Sequence, residues 1–394
     1  MGRKKIAAIN TIYHKYSHAQ HIVDRFLEGY GWQGGHHVPP FELASMYIDQ
    51  IGESDLGQER CDRFGVPLYP TIAEALTLGG ERLAVDGVLL IGEHGEYPST
   101  DKGQRQYPRH DFFMQIIDVF RASGRAVPIF NDKHLSYDWS QAVEMYDVSL
   151  ELGFAFMAGS PLPVTWRVPA LELPLGSELR EAVCVGYGGV DSYDFHGLET
   201  VQCMVERRGD GEVGVSAIQA LRGDAAWETL SDGRVDADLF WAAVARSFTR
   251  KPKGEDDGDF RPGLDAARAH VSDPVVYVME YGDGLRASMF LMSGFVEDFN
   301  FSARMGDGSI ASTQMYLPMP PRRASLASFF SPLVYNVEQM FETGVATYPV
   351  ERTLLTTGQT AFAVDSLDQD GARLETPELA IAYAAPEASH FWRD

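Results

Sequence analysis

The stretch Ser123–Ser136, SGRAVPIFNDKHLS, sets the reading of the chain. Gly124 closes a helical pattern, Ala126 to Phe130 form a short apolar run, and four polar residues follow at once: Asn131, Asp132, Lys133 and His134. Just upstream, RHDFFMQIIDVFRASGR places Phe112, Ile116, Ile117 and Phe120 on one helical face. Just downstream, WSQAVEMYDVSLELG is again helical and FAFMAGS is again a strand. A strand between two helices of this length belongs to a parallel sheet with helices on both faces. In such sheets ligands bind at the carboxyl ends of the strands, which is where Lys133 stands.

The same rhythm runs back to the start of the chain. KKIAAIN reads as a strand, SHAQHIVDRFLEGYG as a helix with Ser17 as N-cap and Gly29 or Gly31 as its end, and FELASMYID as a strand ending on Asp49. GQERCDRFG is a helix closed by Gly65, VPLYPTIAEAL a short strand and short helix, and VDGVLLIGE a buried strand. The segments after these strands are polar: NTIYHKYSH, Asp49, EHGEYPSTDKGQRQYPRH, NDKH and SPLPVTWR. Eight of the eleven histidines fall within the first 134 residues. Each alone reads as a solvated loop residue, but their convergence on one sheet edge reads as a site.

Past PLPVTWRVP the texture changes to β-prone segments, EAVCVGYGG, EVGVSAIQAL, PVVYVMEYG, LRASMFLMSG and LAIAYAAP. Fewer helices accompany them: SYDFHGLETVQCMVERR, ADLFWAAVARSF and LVYNVEQMFETG. This predicts an α+β domain on one large antiparallel or mixed sheet, with TRKPKGEDDGDFRPG as a charged, exposed loop whose acidic part is 255–259. The boundary is set at residue 165, giving domains 1–165 and 166–394.

Composition narrows the partners. A net charge of −23 repels phosphate backbones, so nucleic acid is not an expected partner. No apolar run reaches the ~18 residues of a membrane span, and MGRKKIAAIN runs from basic residues into a strand without a cleavage site, so no membrane partner and no signal peptide are expected. Three dispersed cysteines, Cys61, Cys184 and Cys203, suit a reducing, cytoplasmic setting.

Several phrases resemble the Gfo/Idh/MocA oxidoreductases over most of the chain. GQERCDRFGVPLYPTIAEAL is similar to that family's Phe-Gly-Val-Pro segment, VDGVLLIG to its next strand, and SGRAVPIFNDKHLS to its Glu-Lys-Pro phrase, with Asp132 for the Glu and His134 for the Pro. GGVDSYDFHGLETVQCM resembles its Asp-x-Gly-x-His-x-x-Asp helix, and ERTLLTTGQTAFAVDSLDQDGARLETPEL its C-terminal helix and last strands. The resemblance implies an α/β fold: a Rossmann-like parallel-sheet domain, then an α+β domain with a large open-faced, mostly antiparallel β-sheet. It also implies that Lys133 and His196 are catalytic, that NAD or NADP is the cofactor, and that the sheet forms a homo-oligomer.

The departures are as informative. The family's Gly-x-Gly-x-x-Gly loop is replaced by INTIYHKYSH, with no glycine, so that Tyr13, His14, Lys15 and Tyr16 are expected to fill the phosphate space. Ser192 stands where the catalytic helix of the family has an acid, and GEHGEYPSTDKGQRQYPRH is an insertion. On the redox reading, Lys133 and His196 exchange the proton of a sugar or polyol hydroxyl, and Asp194 or Asp191 holds the histidine. Dinucleotide contacts then fall to Asn10, Tyr13, Ser17, His18, Asp49 and Glu93. Carbohydrate contacts fall to His94, Arg109, His134, Trp166 and Arg167.

Two other readings use the same residues. A nucleotide-independent lyase or hydrolase would use a divalent metal on Asp194, His196 and Glu199, although an inherited helix with capping polar groups explains these three as well. A non-catalytic binding protein would show a polar pocket without turnover. Redox chemistry is placed first on Asp49, which suits a ribose hydroxyl, and on Lys133.

Overall fold

The structure, a computed structural model, describes residues 2–251, 263–318 and 326–393. The acidic loop 255–259 lies outside them. The first half of the chain supplies strands β1 (Lys4–Asn10), β2 (Tyr30–Trp32), β3 (Gly35–His37), β4 (Phe41–Ile48), β5 (Gly87–Ile91), β6 (Ile129–Asp132) and β7 (Phe156–Gly159). Five of these form a sheet in the order β4-β1-β5-β6-β7, every pair parallel. Successive residues of a strand face opposite sides, and both sides are buried. Ile6, Ala8, Leu89, Phe130 and Met157 face a core with helices His18–Glu28 and Phe330–Thr343. Ala7, Ile9, Val88, Leu90, Ile129 and Phe156 face helices Ile72–Thr77, Arg109–Ser123 and Trp139–Leu152. That double burial is why the strands read as continuous apolar runs.

Helix ends follow the local chemistry. The Ser17 side chain accepts from the Gln20 amide, Asp138 accepts from Gln141, and Gly65, Gly124 and Gly153 close helices in the left-handed conformation. One detail differs from the sequence reading. VPLYP forms no strand, only a bridge from Leu68 to Met46. His36 and His37 lie in β3 of a small hairpin, where the His37 ring pairs with Glu338 at 2.7 Å.

The second sheet takes β8 (Arg167–Val168), β9 (Leu179–Gly186), β10 (Val215–Arg222), β11 (Val275–Tyr281), β12 (Arg286–Leu291), β13 (Phe299–Met305), β14 (Ile310–Met315) and β15 (Leu374–Glu375). Their order is β15-β10-β11-β12-β9-β13-β14-β8, antiparallel except for β12 beside β9. β13 and β14 escaped the sequence reading. LAIAYAAP is not a strand: it follows a 3-10 turn, Pro377–Leu379, and pairs only through Tyr383 and Glu212. Its neighbour Gly214 (φ 87°) explains how it fits, because a Cβ there would lie 2.1 Å from the Leu379 carbonyl oxygen.

One face of this sheet packs on helices Asp194–Val205 and Val350–Asp368. The opposite face is not bare, in contrast to the expected open face. Val183, Val185, Val276 and Phe290 are covered by Trp227, Leu230, Leu239, Phe240 and Val244, from helices Asp224–Ser231 and Ala237–Val244. Phe240 is fully buried in that layer. Phe240→Ala should therefore cost about 3–5 kcal/mol, read as a lower urea midpoint at unchanged slope; a change under about 1 kcal/mol would mean that the helices are not docked on the sheet.

Candidate active site

Lys133 directly follows β6, and its amide extends the ladder to Gly159 O at 3.0 Å. Its backbone is left-handed (φ 70°), unusual for a lysine. That turn sends the side chain across to the second domain, where Nζ donates to Ser192 O and to His196 Nε2, both at 2.9 Å. Glu93 Oε1 lies 3.8 Å from Nζ, an ion pair beyond hydrogen-bond length. The other Glu93 oxygen accepts from Arg109 at 2.5 Å, and Arg109 also donates to His134 Nε2 at 3.0 Å. Burial alone would raise the Glu93 carboxyl; Lys133 and Arg109 reverse this and hold it well below the usual carboxylate range. Burial holds His134 and His196 well below the ordinary imidazole value, so both rings are neutral acceptors for these cations.

The Lys133–His196 pair forms part of the wall of a cavity of about 210 Å³. Polar walls come from His18, Glu93, His94, Tyr107 and Tyr193, apolar ones from Tyr187, Phe299, Leu317 and Phe330. His18 Nδ1 bonds to the fully buried Asp132 carboxylate at 2.7 Å, which fixes the ring with its other nitrogen away from Asp132. A second cavity, about 800 Å³, opens beyond the ends of β1, β4 and β5, lined by Asp49, Gln50, Ser54, Asp55, His94 and Glu96 among others. Asp49 accepts there from the Tyr47 and Tyr97 hydroxyls at 2.9 and 2.7 Å.

The glycine-free loop takes a different course from the one expected. The Tyr13 phenol turns into the core and donates to Asp24 at 2.6 Å, while the residue also lines the outer cavity. Thr11, Tyr13 and Tyr16 are tied down by bonds to Ile91, Leu56 and Gln20, and Tyr16 takes the left-handed turn (φ 68°). Asn10 is buried with its amide on Tyr47 O, and the Ser17 hydroxyl serves its own helix.

Other candidates stand apart. Asp194 does not touch His196. It accepts from the amides of Asp191, Ser192 and Phe195 and from Tyr277, so it organises the loop that brings Ser192 O to Lys133. Asp191 accepts from the Arg105 amide at 2.6 Å, which latches the insertion to that loop; burial and the Asp194 charge push its carboxyl up to about 7. Glu199 accepts from Ser160 N and Thr353, seated where Gly159 has no Cβ to obstruct it. Asp194, His196 and Glu199 therefore serve three different partner sets, and among the described residues no group of three such side chains could hold a metal ion. Trp166 stacks on Trp392 (3.5 Å between centroids), and Arg167 is buried on Leu171 O and Pro163 O. Neither lines the two cavities described here.

The sequence reading missed His21, Tyr107, Tyr187, Tyr193, Phe299 and Phe330 in the inner wall. His18 and His21 sit one helical turn apart, a signal that was available. Phe330 carried none, since it reaches the site from a distant helix.

Glu199 supplies a pH test. Burial pushes its carboxyl up to about 7 from an ordinary 4.5. In the unfolded chain it ionises first, so the folded state binds more protons and stability falls as pH rises from about 4.5 to about 7, by at most about 1.4 kcal/mol per pH unit. Glu199→Gln should flatten this loss in denaturant titrations, exceeding the parent in stability at pH 8 and matching it near pH 5. Parallel pH curves for the two proteins would contradict the assignment.

No family model and no curated sequence matches the chain. Solved structures do. Myo-inositol dehydrogenase from Lactobacillus casei, in complex with NAD(H) and myo-inositol, is 12% identical with a TM-score of 0.58, covering 99% of this chain and 100% of that one. GenD2 from gentamicin A biosynthesis, in complex with NAD, is 14% identical with a TM-score of 0.57, covering 95% and 97%. A probable dehydrogenase from Thermotoga maritima is 12% identical with a TM-score of 0.55, covering 95% and 100%. These are Gfo/Idh/MocA-type dehydrogenases, and the likeness extends over both domains: the chain has the fold of that family.

Proposed function

We propose that the chain is an oxidoreductase that moves hydride between a nicotinamide dinucleotide and a carbinol carbon of a sugar or polyol, with Lys133 and His196 handling the proton. One observation carries the reading: the 2.9 Å Lys133–His196 pair opens on a small cavity that adjoins, through His94, a larger one with Asp49 on its wall. The structures of this fold with NAD bound support it.

The residues present fit a dinucleotide at both ends. Asp49 already accepts two hydroxyls, as a ribose requires, and the inner cavity has room for a ring beside Lys133. When bound, the nicotinamide takes or gives the hydride. Lys133 directs two of its three donors at Ser192 O and His196 Nε2, which leaves one for the reacting oxygen. In the reducing direction that N–H protonates the oxygen as it becomes an alkoxide. Neutral His196 accepts from Lys133 without repelling its charge, and shares the returning proton in the oxidising direction. Glu93 and Arg109 keep Lys133 in place. Tyr187, Phe299 and Phe330 give the ring apolar surface to lie on.

Lys133→Ala should keep the far-UV circular dichroism of the parent and lower hydride transfer to a panel of inositols and hexoses by about 10²–10⁴-fold. An unchanged rate would sink the assignment. Among the described residues the outer cavity lining has Asp49, Asp55 and Glu96 and no lysine or arginine, so a 2′-phosphate would meet like charge there. NADH at ~100 times its dissociation constant should stabilise the protein by about 2.7 kcal/mol. NADPH at the same concentration should do less, and an equal or larger shift would contradict the cavity's charge argument.

A further inference from the structure

We propose that His94, flanked by His14 and His18, contacts the pyrophosphate of the dinucleotide in place of a glycine cradle, so that cofactor binding takes up a proton. The inference rests on the nicotinamide reading above.

The first argument is placement. The outer and inner cavities have one lining residue in common, His94. A dinucleotide with one ribose at Asp49 and its nicotinamide at Lys133 must thread its linking diphosphate past that residue. Two more imidazoles stand there. The His14 ring is stacked near that of His94 at 6.2 Å, and the His18 ring meets it edge-on at 5.6 Å. The His94 backbone is in the left-handed region (φ 66°), and its ring packs between those of His14 and His18.

The second argument is hydrogen-bond polarity. A diphosphate offers acceptors only. His14 Nδ1 lies 2.9 Å from the Lys15 carbonyl oxygen and His18 Nδ1 lies 2.7 Å from the Asp132 carboxylate, so each Nδ1 carries a hydrogen. In a ring that carries its one proton there, Nε2 is an acceptor and would set lone pair against lone pair at a phosphate oxygen. Only protonation turns it into a donor. Among the described residues no lysine or arginine lines the outer cavity, and the loop between β1 and its helix has no glycine. Among the described residues, countercharge in the outer cavity therefore falls to the imidazoles of His14 and His94, with Lys133 across the junction on the inner wall.

The groups facing His94 set the direction. Glu93, its neighbour, favours a proton on it; His18, Lys133 and His14 oppose one, His21 is also within electrostatic reach, and burial keeps the free ring at about 4. Glu96, Asp49 and Asp55 share the outer wall. A dianion arriving beside the ring adds negative charge and raises its proton affinity. By linkage, affinity must then rise as pH falls from 8 toward 6.

The test is calorimetric titration of the full-length protein at pH 6 and pH 8 with NADH, and with adenosine as a phosphate-free probe. Two buffers of different ionisation enthalpy count the protons taken up. NADH should bind roughly tenfold tighter at pH 6, one proton's worth over part of this interval, with net proton uptake, while adenosine shows no pH dependence. His94→Asn keeps a side chain that tolerates the left-handed backbone and should abolish most of the NADH pH dependence. His14→Gln should reduce it, and stands as the variant if His94→Asn fails to fold. NADH binding with equal affinity at both pH values, without proton uptake, overturns this proposal and leaves the nicotinamide reading intact. No NADH binding at either pH overturns both.

Discussion

A buried carboxylate between two cations holds the site together. Glu93 lies two residues past β5 and is 7% exposed; Arg109, fully buried, comes from the next helix and Lys133 from the residue that follows the next strand. Three side chains from consecutive elements of one sheet thus share one charge balance. Removing Glu93 from this set would leave two buried cations without their shared carboxylate, which costs more than either pair itself is worth. The arrangement needs Gly92, where a Cβ would sit 2.6 Å from Arg109 Cγ, and it sets the direction in which Lys133 can point. Neutral His134 and His196 complete it by accepting from Arg109 and Lys133.

The Lys133 contact also joins the domains. Its partners Ser192 and His196 belong to the loop and first turn of the helix that packs on the second sheet, and Asp194 shapes that loop by collecting three of its amides. The inserted segment is fastened to the same loop through Asp191 and Arg105, and contributes Tyr107 to the cavity wall. Asp191 and Asp194, expected to orient His196, instead position the protein around it. A carboxylate at a helix start meets several free amides at close range, and that local competition outweighs a more distant imidazole.

The helical layer on the second sheet changes what that domain can do. A bare apolar sheet of this size requires a partner. Here Trp227, Leu239 and Phe240 supply it from within the chain.

The sequence alone determined the alternation of strands and helices in the first domain, because strands buried on both faces leave unbroken apolar runs and helices leave a repeating face. It also placed Lys133, Asp132, Glu93, His94 and Asp49 at strand ends, since position along an element is local information. What it did not determine was direction. Tyr13 and His18 lie five residues apart, yet one turns into the core on Asp24 and the other onto the inner cavity beside Asp132. Trp166 and Arg167 face Trp392 and backbone carbonyls. Phe330 and Phe299 reach the cavity from elements far along the chain. Side-chain direction is settled by whichever partner the folded chain brings near, and that partner can be a few residues away, as Leu171 is for Arg167, or more than a hundred, as Asp132 is for His18. Tertiary structure alone therefore decided which of the polar strand ends form one site.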